Sequence, residues 1–195
     1  MPVEPARKSQ HGHPVQADVG TAANTAAKPD AASRPVSDRK AIRNSVSRED
    51  KRLFRRIESM SVASVLEVSV GDGTRALAML QTLTHKGHST PLHYLAIDEF
   101  EMGGSDLSLR NFHRQLREYP AKAHLVPMPI DAGLDRVVRT FGQVDLIVWA
   151  NPQPPTAKQL RALTRLSKPG AIMFSTQNGR WSETHCSLLS GERAA

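Results

Sequence analysis

Cysteine occurs once in the 195 residues, at Cys186. That excludes an internal disulfide framework and suits a reducing compartment, the cytoplasm. Aromatic residues make up only 5% of the chain, which argues against a reader of single strands that stacks bases on a row of rings. No apolar run reaches the roughly 20 residues that a membrane-crossing helix needs. The opening stretch, MPVEPARKSQHGHPVQ, lacks the apolar core of a secretory signal. Acid is also in deficit, with 19 Asp plus Glu against 26 Lys plus Arg and a net charge of +7. The basic excess permits contact with nucleic acid or anionic lipid without establishing either.

The composition divides the chain. Residues 1–45 hold Pro, Ala, Ser and scattered charge, with hardly a large apolar side chain, and read as a disordered basic arm that cannot offset its ordering entropy. Residues 46–178 read as one α/β domain, and 179–195 as a polar C-terminal tail. Within the domain, Ser47 begins a capping sequence, and Leu53, Phe54, Ile57 and Met60 follow at helical spacing. Strands are expected over Val62–Val70, His93–Asp98, His124–Ile130, Val144–Trp149 and Ala171–Thr176. Helices are expected over Thr74–Thr84, Ser105–Tyr119, Ala132–Phe141 and Thr156–Leu166. Pro127 and Pro129 make the third strand irregular or place it at an edge. The alternation predicts a doubly wound, mainly parallel five-stranded sheet with helices on both faces.

In such a sheet, ligands bind beyond the carboxyl ends of the strands. The first strand ends in Glu67-Val-Ser69-Val-Gly71-Asp72-Gly73, where two glycines let the backbone turn and approach a ligand closely. The second ends in Asp98-Glu99, and a carboxylate there can accept from both hydroxyls of a ribose. The third ends in Asp131-Ala132 and the fourth in Ala150-Asn151-Pro152. Each has a plainer role beside this one. The glycines form turns, Asp98 caps a helix, Asp131 caps the helix after it, and Asn151 sits in a Pro-rich loop.

At these residues the chain resembles the class I S-adenosylmethionine (SAM)-dependent methyltransferases. Glu67, Gly71 and Gly73 match the family's first motif, while Ser69 stands where its first glycine is usual. The resemblance implies SAM as cofactor and a strand order of 3-2-1-4-5. The Ser69–Gly73 backbone, Asp72 included, would lie at the methionine portion, with Asp98 and Glu99 at the ribose, and Asp131 and the Ala132 amide at the adenine. Lys168-Pro169-Gly170 looks like the family's turn into strand five. Gly71-Asp-Gly73-Thr-Arg-Ala76 also fits a dinucleotide fingerprint, so an oxidoreductase is the rival. Asp72 and Glu67 would repel a pyrophosphate there, at about 4 kcal/mol for like charges 4 Å apart at an effective dielectric near 20.

The chain departs from the family after strand four, where Asn151-Pro152 is followed by Gln153-Pro154-Pro155 and lacks the aromatic that stacks on a planar acceptor. Asn151 is the one catalytic candidate, and the methyl acceptor cannot be read. The short C-terminal stretch leaves a bare sheet edge that invites dimerisation and makes a non-catalytic binding or scaffold protein the alternative. Arg110, Arg114 and Arg117 form a stripe at helical spacing, and Lys51, Arg52, Arg55 and Arg56 a second set. A solvated face is the default reading, and tracking of RNA phosphates the functional one. His85, His88 and His93 cluster without metal-ligand spacing, so no metal is expected. Cys186 lies in the C-terminal tail, where a nucleophilic role is not expected.

Overall fold

A computed structural model describes residues 45–85 and 91–190. The expectations for the arm before Ser45 and for His88 lie outside them. The Ser47 hydroxyl caps α1 (Arg48–Glu58) by accepting from the Asp50 amide at 3.0 Å, and Leu53, Phe54 and Ile57 turn inward. The chain continues through β1 (Ser64–Val68), α2 (Thr74–Thr84), β2 (Leu92–Asp98), a short 3-10 turn (Phe100–Gly103) and α3 (Leu109–Leu116). Then follow β3 (Ala121–Pro127), α4 (Ile130–Thr140), β4 (Val144–Trp149), α5 (Ala157–Leu166), β5 (Ser167–Gln177), β6 (Arg180–His185) and a 3-10 turn, Cys186–Ser190. None of the described helices is long and apolar enough to cross a membrane.

The sheet has six strands in the order β3-β2-β1-β4-β5-β6, all parallel except the last pair. The expected order of the first five holds. The sixth corrects the reading of 179–195 as a tail. Asn178 and Gly179 have φ of +51° and +73°, the two positive values of a tight hairpin turn. β6 is held largely by polar contacts. Both guanidinium nitrogens Nε and Nη2 of Arg56 donate to Glu183 at 2.7 Å, and the Trp181 indole donates to Asp50 at 3.0 Å.

Two other boundaries moved for identifiable reasons. Pro127 closes β3 and Pro129 is the N-cap of α4, so the two prolines mark a strand end and a helix start, and β3 lies at the sheet edge, the second of the two outcomes expected from them. Ser108 caps α3 by accepting from the Asn111 amide at 3.2 Å, which starts that helix later than Ser105. Lys168-Pro169-Gly170 lies within β5, where the register against β4 shifts between Val144 and Leu146.

The sheet separates two apolar layers. Val65, Tyr94, Leu146 and Phe174 pack with α1, α2 and α3, and Leu66, Ile97, Ile147 and Met173 pack with α4 and α5. All five residues of β1 are buried, as expected for a central parallel strand. Burial raises the pKa of Cys186, whose side chain packs in the second layer.

Asp145 fastens the amino ends of three strands. Its Oδ2 accepts from the Ala63 amide at 3.0 Å, the Ser64 amide at 2.9 Å and the Ser64 hydroxyl at 2.8 Å, and Lys168 Nζ stands 2.8 Å from its Oδ1. Burial works against its charge, but Lys168, Ser64 and Ala63 prevail and hold the carboxyl below its ordinary value. A depressed folded pKa gives stability that is present above the unfolded value, near about 3.9, and lost as pH falls through the folded one. Asp145→Asn should therefore cost about 1–3 kcal/mol at neutral pH. In urea unfolding the gap to wild type should narrow as pH drops below about 3.9.

Candidate functional site

The carboxyl ends of β1, β2 and β4 lie side by side, and the loop after β1 stands where a parallel sheet places its ligand crevice. Ser69, Gly71 and Gly73 have φ of +66°, +69° and +83°. For a serine this left-handed geometry costs roughly 1–2 kcal/mol that a glycine does not pay, so Ser69 is a strained departure from the motif it resembles. Its hydroxyl accepts from Asn151 Nδ2 at 3.3 Å. Asn151 is thus at the crevice, with its own Oδ1 accepting from the Gln153 amide at 2.8 Å. Phe100, buried just past β2, has φ of +52°, so strain clusters on both sides of the crevice.

Asp98 joins these segments. Its Oδ2 accepts from the Val70 amide at 2.7 Å and the Gly71 amide at 3.4 Å, and its Oδ1 accepts from the Phe100 amide at 2.6 Å. It therefore ties the loop to the start of the 3-10 turn, whose N-cap residue is Glu99. A carboxylate offers about four acceptor positions, and Asp98 is only half-buried, so capacity remains for a ligand hydroxyl. A Cβ at Gly71 would meet nothing within 4 Å; the space above it is open.

Glu67 behaves differently. It is fully buried, on the face of the sheet beneath α2. One oxygen accepts from Tyr94 Oη at 2.6 Å and the other from Arg75 Nε at 2.9 Å. Arg75 Nη2 also donates to the carbonyl of Ser69 at 2.7 Å and that of Val70 at 3.3 Å. Its Cζ lies 5.8 Å from the centre of the Trp181 ring, in range of a cation–π contact. Burial raises the Glu67 pKa, against the pull of Arg75 and Tyr94. Burial, and then the Glu67 charge, push the Tyr94 phenol well above its ordinary value.

The remaining candidates scatter. The exposed Asp72 uses Oδ1 to accept from the Thr74 amide at 2.9 Å, a capping bond at the start of α2 where Gly73 has no side chain to give one. Glu99 is exposed beside the 3-10 turn. Asp131 and Ala132 lie in the first turn of α4. The Asp131 carboxylate accepts from Gln159 Nε2 at 2.7 Å and Lys158 Nζ at 3.2 Å, and these two bonds hold its pKa down. Repulsion of a pyrophosphate thus rests on Asp72 and Asp98, because Arg75 offsets Glu67. Among the described residues, no group of three or more His, Cys, Asp or Glu is placed to hold a metal ion.

Sequence reading missed Arg75, Tyr94 and Trp181. A signal existed: Glu67 is the one charge in SVLEV and Arg75 the one charge in TRALAMLQTLT. Two lone charges on either side of one loop are best satisfied by each other.

No family model matches the sequence, and no curated protein matches it. Solved structures do share its fold. A Bacillus cereus O-methyltransferase in complex with SAH is 15% identical, with a TM-score of 0.53 over 73% of this chain and 66% of that one. The SAH-bound methyltransferase PaMTH1 of Podospora anserina is 16% identical, with a TM-score of 0.52 over 78% and 64%. The cofactor-bound Rv0187 from MTB is 15% identical, with a TM-score of 0.51 over 71% and 61%. The chain has the Rossmann-like methyltransferase fold. It spans less than two thirds of the length of these proteins.

Removing one partner of a buried ion pair costs about 3–5 kcal/mol, whereas removing both with retained volume is far milder. Arg75→Met should therefore destabilise the chain by about that amount, and adding Glu67→Gln should restore most of it. Denaturant unfolding of the two variants measures this, and equal losses in both would show that the charges are not coupled.

Proposed function

We propose that this chain is a SAM-dependent methyltransferase of the class I type, with SAM held in the crevice above Gly71 and beside Asp98. The observation that carries this reading is the pairing of an open space over Gly71 with a half-buried carboxylate that has acceptor positions to spare. The fit is good at the nucleoside end. The Asp98 carboxylate accepts a ribose hydroxyl, and the glycine loop brings backbone within reach of the ligand. Glu67 lies behind Arg75 and serves as a support under the loop. Asp131, whose two oxygens are taken by α5, is left out of the binding set. SAM, when bound, supplies a methyl group that is already activated, so the residues of the chain have only to bind, orient and exclude water. Asn151 is placed beside Ser69 to face an acceptor.

A second reading is favoured by Arg75. Its guanidinium uses the Ser69 and Val70 carbonyls, which a ligand ammonium would otherwise use. A relative that keeps the fold without methyl transfer would tolerate this.

Isothermal titration with SAM and with SAH separates the readings when joined to a radiolabelled methyl-transfer screen. Binding of both, weakened tenfold or more by Asp98→Asn and abolished by Gly71→Val, is the result expected, with labelled product in the screen. Binding without product at any acceptor assigns the chain to the second reading. No heat at millimolar ligand removes SAM from the account.

A further inference from the structure

A groove of about 620 Å³ lies at the β3 edge of the sheet, with walls from α3 and α4. Its lining includes none of Ser69–Gly73, Asp98 or Asn151, although Glu101 lies in the 3-10 turn that follows β2. Arg110 and His113 line it from α3, Arg136 and Phe141 from α4 and its C-cap, and His124 from β3. The His124 and Phe141 rings are 4.7 Å apart, centre to centre, with planes tilted by 44°. Burial, then Lys122 and His93, keep the His124 pKa below its ordinary value, so the ring is neutral near pH 7. A neutral imidazole beside a phenyl ring makes a stacking platform, not an ion-pairing one.

Charge around the platform is positive. Residues Leu109 to Phe141 contain six Lys or Arg and three Asp or Glu, and one of those acids, Asp131, is taken by Lys158. Glu101, which also lines the groove, spends a carboxylate oxygen on the Leu109 amide at 2.7 Å. Two further acids lie nearby, Asp135 on α4 and Glu118 past the end of α3, and Glu118 has a contact of its own. Arg114 and Arg117 continue the exposed basic line from Arg110. An added peptide strand suits this edge poorly, since Lys122 points from it and Pro120 and Pro127 bracket it, which are devices that discourage strand pairing.

The geometry points to a single-stranded nucleic acid as the occupant, with a base against His124 and Phe141 and flanking phosphates on Arg110 and Arg136. Aromatic residues are scarce along the chain, but the fold brings two rings together in this groove. The inference is independent of any cofactor.

The test is fluorescence anisotropy of the full chain with a fluorescein-labelled 12-nucleotide oligouridylate in about 50 mM salt and no SAM. Arg110→Ala with Arg136→Ala, both exposed, should leave the melting temperature unchanged and weaken binding tenfold or more. The same pair should lower the salt dependence by about 1.4 in log–log slope, at about 0.7 per phosphate contact. His124→Ala should weaken binding about fivefold or more with the slope unchanged. Wild-type affinity in the double variant would overturn the proposal, because binding would then lie elsewhere, for example on the basic residues before Ser45. So would equal competition by polyglutamate, which would indicate an acidic protein partner, or no binding at low salt.

Discussion

The ion pair between Glu67 and Arg75 is the constraint on which the crevice depends. A carboxylate with no solvent exposure at the centre of a parallel sheet is costly unless a cation meets it, and Arg75 does so from the first turn of α2. Through that one side chain the sheet is tied to the helix above it, and the loop between them is tied by its own carbonyls at Ser69 and Val70. The loop can then hold three residues at positive φ, including a strained serine. Trp181 closes the other side of the guanidinium, so β6 belongs to the same unit.

Asp98 acts on the same loop from the neighbouring strand. Its bonds to Val70 and Phe100 draw the end of β1 and the start of the 3-10 turn together. Two acidic side chains that look alike in the sequence thus divide the work. Glu67 is buried support, while Asp98 is support that keeps partial exposure. That division follows from strand position. Glu67 lies within β1, with Ala96 and Val148 as its register neighbours, and Asp98 ends β2 where the sheet opens.

Much of the architecture was legible because apolar periodicity and strand composition agree. Thr74–Thr84 and Val144–Trp149 have the expected bounds, and the chain order of strands and helices follows the alternation of patterns. β6 was not legible by hydrophobicity, since RWSETH is held by Arg56, Asp50 and the hairpin geometry of Asn178-Gly179. That dipeptide between two strand-like runs was the available cue. At the crevice, the sequence located the loop, Asp98 and Asn151. It could not show that Arg75 reaches back to Glu67, because a helix-loop-strand distance of eight residues carries no periodicity. Nor could it show that Asp131 turns toward Gln159 and Lys158, since that choice is made by the packing of α4 against α5.

The proposed function requires space for adenosine over Gly71 and an ion pair that a ligand does not disturb. Nitrogen-15 NMR of the labelled chain during titration with SAH tests it most directly. The amide signals of Val70, Gly71 and Phe100 should shift together with ligand concentration, while the Arg75 Nε–H signal keeps its position. Saturating ligand that leaves those three amides unmoved, or a displaced Arg75 signal with the loop unchanged, would contradict it.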